Sequence, residues 1–235
     1  MIKIRRSRER GQADRGWLQA RFTFSFADYH DPQNMGFRVL RVINEDRIAP
    51  GRGFGPHAHR DMEIMTYVME GLLRHRDSMG EHHAIGPNEM QIMSAGSGVV
   101  HSEFNASESD PVHLCQIWIL PSAEDFEPSY QQVGFAPSDK EGRLYLLAAP
   151  VDSREPALTT IRQNVRIYVA ALGVDEQVHH SLDPGRYGWI QVTNGQVAVN
   201  GRTLDQGDGA AVSDEPELAV IGTGSGGEIL LFDLP

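Results

Sequence analysis

Cysteine is nearly absent. The one thiol, Cys115, has no partner for an intramolecular disulfide, which fits a reducing compartment. It stands in HLCQIWIL, a strand-like run, where an inert buried thiol is expected. Also missing are any apolar run near the ~20 residues of a membrane span and, at the N-terminus, the apolar core of a signal peptide. The expectation is a cytoplasmic protein with no membrane contact. Basic charge is scarce too: 21 Lys and Arg face 32 Asp and Glu, and a net charge of −11 leaves no general basic face for nucleic-acid phosphates. Direct nucleic-acid binding is not expected. Residues 1–21 are the exception, with Lys3, Arg5, Arg6, Arg8, Arg10, Arg15 and Arg21 against Glu9 and Asp14. Arginines blunt exposed sheet edges, so this segment reads as a solvated strand edge.

What is present describes a folded chain. At 235 residues, 40% hydrophobic and 23% charged, it can form one large domain or two lobes, each with its own core. Strand-length pieces broken by glycine every nine or so residues, as at Gly71 and Gly80, signal an antiparallel barrel or sandwich. In WLQARFTFSF, alternation puts Phe22, Phe24 and Phe26 on one buried face. FRVLRVI, from Phe37 to Ile43, continues as a strand with both faces partly apolar. After Pro121 the composition shifts, with further prolines at 128 and 137 and little periodicity. The expected division is an N-terminal lobe over 1–121, a linker over 122–143 and a C-terminal lobe over 144–235. The halves echo each other: YVMEGLLRH resembles IQVTNGQVAVNG, and CQIWILP resembles ILLFDLP, as in a duplicated fold.

Two short runs carry the chemistry. GFGPHAHRDME holds His57 and His59, and SGVVHSEFN holds His101 and Glu103. Each pair is spaced i and i+2, so on an extended strand both side chains point to one face. Two such strands together offer three imidazoles and a carboxylate, a donor set that suits a divalent transition metal such as iron with positions left open. Burying these groups together without a cation would be costly. Glu63, four residues beyond His59, is a second carboxylate candidate, roughly 13 Å along a straight strand. The second half has only His179 and His180, adjacent and therefore on opposite faces, so one metal site is expected. His75, His82, His83 and His113 lack the paired spacing and are expected as surface or cross-strand residues. Phe54 and Met93 are candidates for a substrate pocket, while Met62, Met65, Met69 and Met90 are expected to fill core.

Gly51, His57, His59, Glu63 and Gly71 resemble the first cupin motif, with one residue extra before the last glycine. Gly98, His101 and Asn105 resemble the second, although Gly96 stands where that motif has proline. RFTFSFADYHDPQNMGFRVLRVIN, GFGPHAHRDMEIMTYVMEG and MSAGSGVVHSEFN, in that order, resemble the pirin family over most of residues 15–121. The resemblance weakens in the second lobe, where WIQVTNGQVAVNG and LLFDLP still fit. It implies an all-β bicupin of two antiparallel barrel or jelly-roll lobes, with one metal held by His57, His59, His101 and Glu103 and with Glu63 outside the ligand set. Iron is the first expectation, with copper, nickel or manganese also suited. The activity implied is that of a quercetin 2,3-dioxygenase, acting on a small aromatic substrate and dioxygen with Glu103 as ligand and base. The alternative is a non-enzymatic, redox-responsive regulator that binds a protein partner.

Overall fold

In a computed structural model covering Met1–Pro235, the chain forms 18 strands and two three-residue 3-10 helices. The first nine strands are β1 (Ile2–Arg5), β2 (Gly11–Asp14), β3 (Leu18–Phe22), β4 (Leu40–Ile48), β5 (Gly53–Glu70), β6 (Leu73–Asp77), β7 (His82–Ile85), β8 (Glu89–Asn105) and β9 (Val112–Ile119). The rest are β10 (Ser129–Gly134), β11 (Tyr145–Pro150), β12 (Thr159–Ile161), β13 (Arg166–Leu172), β14 (Gln177–Ser181), β15 (Tyr187–Val199), β16 (Arg202–Asp205), β17 (Gly209–Val212) and β18 (Glu217–Leu234). The all-β expectation holds, with two nine-stranded sheets.

Two compact units result. One comprises residues 11–135 and 161–163, and the other comprises 1–10, 136–160 and 164–235. This differs from the expected division at three places, one of them the short segment 161–163, expected in the C-terminal lobe. Residues 1–10, assigned to the N-terminal lobe, belong to the other unit: β1 pairs antiparallel with β17, Ile2 opposite Val212 and Arg5 opposite Gly209. Such pairing depends on partners some 200 residues away, which no local pattern reveals. The basic segment there is packed rather than merely solvated, with Arg6 donating to Asp208 at 2.7 Å and Arg10 only 3% exposed. Within the stretch 122–143, expected as a linker, β10 pairs with β8, Tyr130 opposite Met93. Its prolines bracket a strand instead of preventing one, as suits an edge position.

In the first unit the strand order is β2-β3-β4-β9-β5-β8-β6-β7, with β10 also on β8. The central run of β5 is covered on both faces: Ile64, Met65, Thr66, Tyr67 and Val68 are almost completely buried. Ile64, Thr66 and Val68 share one face, with Thr66 reaching Glu103, and Glu63, Met65 and Tyr67 take the other. FRVLRVI becomes a strand only from Leu40, because Arg38 has φ +56° and Phe37 and Leu40 close a tight turn through paired backbone bonds. The second unit is built on the order β1-β17-β15-β18-β13-β11-β12. There His179 is exposed beside Glu217 while His180 lies against Asp233, in keeping with opposite faces.

Candidate functional site

Register brings the two histidine runs together. His57 on β5 lies directly opposite His101 on β8, and His59 lies opposite Val99, one pleat along. The three imidazole centroids form a triangle with sides of 4.4, 4.8 and 4.8 Å. One ring nitrogen from each residue lies within 4.8 Å of the others. His57 Nδ1 lies 2.8 Å from the carbonyl of Gly55, which can only accept, so Nδ1 carries the proton and Nε2 keeps its lone pair. Both ring nitrogens of His101 are buried and lack a hydrogen-bond partner. A buried imidazole in that condition is costly unless something fills the gap, and a cation would do so. The residues present therefore fit a metal.

Burial keeps the His59 and His101 rings neutral. It lowers His101 to a pKa of about 2, helped by the nearby His57, His59 and His75. Burial and the charge of His57 lower His59 to about 4. Neutral imidazole is the form that coordinates a metal.

Glu103 stands opposite Phe54 across the β5–β8 pair and is 4% exposed. Burial raises its pKa to about 7, opposed by hydrogen bonds from Gln116 and Thr66. Gln116 Nε2 donates to both carboxylate oxygens, at 2.7 and 2.8 Å. Gly53 permits this close approach of strands, since a Cβ there would sit 2.1 Å from the Glu103 carbonyl oxygen.

A cavity of about 430 Å³ opens over the cluster, within the range of small-molecule sites. Trp17, Phe22, Phe26, Phe54 and Trp118 supply aromatic walls, and His57, His59, His101, Glu103 and Gln116 a polar end. The Trp17 and Phe54 rings meet edge to face at 5.5 Å, and His59 meets Trp118 at 4.8 Å.

Two other candidates lie elsewhere. Met93 does not line the cavity: it is 0% exposed and packs with Ile64 and Val99 against Trp118 and Tyr130. Two clusters of potential ligands share His101, one with His57 and His59 and the other with His75 and Glu103, and Glu63 belongs to neither. Its carboxylate accepts from Ser94 Oγ at 2.6 Å and from the Arg162 backbone at 3.1 Å, and burial raises its pKa. The physical reason is a bulge: Asp61 has φ +63°, and the β5–β8 register shifts between His59 and Asp61. The face that carries His59 is thereby lost to Glu63. On the partner strand, Gly96 has φ +46°, with the Phe126 carbonyl 2.0 Å from where a Cβ would be, so proline cannot stand there.

His75 was missed. Expected as a surface or cross-strand residue, it has 0% exposure and lies opposite Glu103 on β6, its ring 5.4 Å from that of His101. Tyr130, from the supposed linker, covers it at 4.9 Å. The signal available was a third i, i+2 pair, His75 and Asp77 in LRHRD. His113 is likewise buried, with Glu45 2.9 Å away, whereas His82 and His83 are exposed.

A family model described as Pirin matches residues 3–119, and one described as Quercetinase C-terminal cupin domain matches residues 146–234. The chain is 46% identical over 235 residues to the quercetin 2,3-dioxygenase of Escherichia coli (strain K12), covering 100% of this chain and 99% of that one. It is 40% identical over 210 residues to a pirin-like protein of Caulobacter vibrioides, covering 89% and 90%. The solved structure of the bacterial pirin YhhW from Escherichia coli in complex with nickel(II) matches with a TM-score of 0.93 at 46% identity, covering 100% of this chain and 99% of that one.

Proposed function

Since the chain belongs to the pirin family, we propose that it is a metal-dependent dioxygenase that opens the heterocycle of flavonols such as quercetin. In this reading His57, His59, His101 and Glu103 hold a single divalent transition metal, and the enzyme works in the cytoplasm. Iron is the metal first expected from the donor set; nickel, which the YhhW relative binds, is equally compatible with imidazole and carboxylate ligands. The observation that carries the proposal is the triangle of imidazoles, with both His101 nitrogens lacking partners at the polar end of an aromatic cavity.

A bound metal supplies Lewis acidity that favours the deprotonated 3-hydroxyl of the substrate. The chain does the rest. Trp17, Phe54 and Trp118 clamp a planar ring system and exclude water from the reacting carbons. Glu103 accepts the 3-hydroxyl proton, and Gln116 holds the carboxylate in place for that transfer. Dioxygen then adds across the activated ring, and one carbon leaves as carbon monoxide.

Quercetin incubated with protein loaded with iron, nickel, copper or manganese should lose its flavonol absorbance and release carbon monoxide with at least one of them. No loss with any of the four metals would refute the activity.

A further inference from the structure

His101 presents an unsolved hydrogen-bond problem even with a metal in place. The metal takes one ring nitrogen; the other carries a proton, is buried, and has no acceptor. Metal-bound histidines ordinarily donate that proton to an outer partner, which fixes the ring and raises its basicity. For His57 the partner is the Gly55 carbonyl. For His101 one atom nearby has the complementary deficiency. His75 Nδ1 is also buried and unpartnered.

The other side of His75 decides what that atom is. His75 Nε2 lies 2.9 Å from Asp77 Oδ2, and both side chains are completely buried. Asp77 is itself fixed, since its Oδ1 accepts the backbone amides of Met79 at 2.8 Å and Glu81 at 3.1 Å. A carboxylate accepts only, so the His75 proton resides on Nε2 and Nδ1 is a bare acceptor. Asp77 is registered opposite His101 on the β6–β8 pair, which places the chain of groups along one face. An N–H···N bond of about 2.9 Å between imidazoles leaves their ring centres roughly 5 Å apart. The His75 and His101 centroids are 5.4 Å apart, with ring planes tilted by 49°, near enough for that bond although the rings as they stand do not make it.

We propose that Asp77 and His75 are positioning residues for His101: Asp77 sets the tautomer of His75, whose Nδ1 accepts the N–H of the His101 nitrogen not given to the metal. This rests on His101 being a metal ligand, as in the function proposed above. His75 does not bind metal itself in this arrangement, although it lies beside His101 and Glu103.

Asp77→Asn is the decisive variant. Its carbonyl can keep the Met79 and Glu81 amides while its NH2 group faces His75 Nε2, which drives the His75 proton to Nδ1 and leaves two donors facing each other. The affinity of the full chain for nickel(II), measured by chelator competition, should fall about 10- to 100-fold, with the thermal unfolding of the metal-free protein unchanged. His75→Phe, which keeps a ring but has no acceptor, should lose affinity similarly. Nitrogen NMR of the metal-free protein should place the His75 proton on Nε2 in the wild type and on Nδ1 in Asp77→Asn. An unchanged affinity in Asp77→Asn, a wild-type proton on Nδ1, or two nickel ions per wild-type chain would overturn the proposal. Failure of the wild type to bind nickel at all would instead sink the metal reading, and the NMR result would still decide the tautomer.

Discussion

His101→Ala is expected to lose metal and flavonol turnover together, yet to leave the metal-free protein nearly as stable as the wild type. The first half follows from position. His101 lies 4.4 and 4.8 Å from the other two imidazoles and is the one of the three whose nitrogens are both buried and unsatisfied. Its removal should cost more metal affinity than the about 10- to 100-fold typical of losing an outer partner, and turnover should fall to that of metal-free protein. The second half follows from opposing terms. Truncating a large buried side chain usually costs about 2–5 kcal/mol. Each unsatisfied buried polar group that disappears returns about 1–3 kcal/mol, and His101 has two in the metal-free protein, where its bond to His75 is not made. Chemical denaturation of the two metal-free proteins should therefore differ by no more than about 1 kcal/mol. A purely structural His101 would show the opposite pattern, a large loss of stability with metal binding intact.

Glu103→Gln should have the second largest effect, seen most clearly in its pH dependence. Burial raises the Glu103 pKa to about 7, so below that pH the folded, metal-free chain holds a proton there. Binding a metal requires its release, and affinity should rise with pH through about 7 as the carboxylate becomes available. Glutamine has no proton to release in this range, so that limb of the profile should flatten in the variant. Any protein that still loads metal should show kcat/KM for quercetin lower by about 10²- to 10⁴-fold, the usual worth of a positioned base. Chelator competition from pH 5.5 to 8.5 checks the first effect, and the flavonol assay on metal-saturated variant checks the second. An unchanged pH profile would remove Glu103 from the ligand set; unchanged kcat/KM would remove it as base.

The core of the site was legible because it rests on strict alternation over short distances. His57 with His59, and His101 with Glu103, need only an extended backbone to share a face, and register then sets His57 opposite His101. The all-β class was readable from glycine-broken strand lengths for the same reason. Alternation fails where the backbone leaves the extended region. Asp61, with φ +63°, separates Glu63 from the face of His59, and nothing in HRDME announces a left-handed aspartate. Gly96 in place of the motif's proline did announce an irregularity, and its φ of +46° is that irregularity.

Other features were hidden because their cause is tertiary. Met93 shares a face with Ile64 and Trp118, yet Trp118 and Tyr130 pack against it, and only the assembled β5, β8, β9 and β10 show that it is core and not cavity wall. His75 stands outside both cupin-like motifs, although its spacing with Asp77 matches that of the metal pairs. Its importance comes from pairing with the edge of β8 not used by β5. β1 likewise could be read as an edge strand, but not as the edge strand of which sheet.

The most direct test is a titration of metal-free protein with a single metal, iron(II) or nickel(II), following quercetin absorbance as the readout. Expected are no turnover without metal, a linear rise with added metal, and saturation at one equivalent per chain. Turnover in the metal-free protein, or saturation only at two equivalents, would contradict the proposed function.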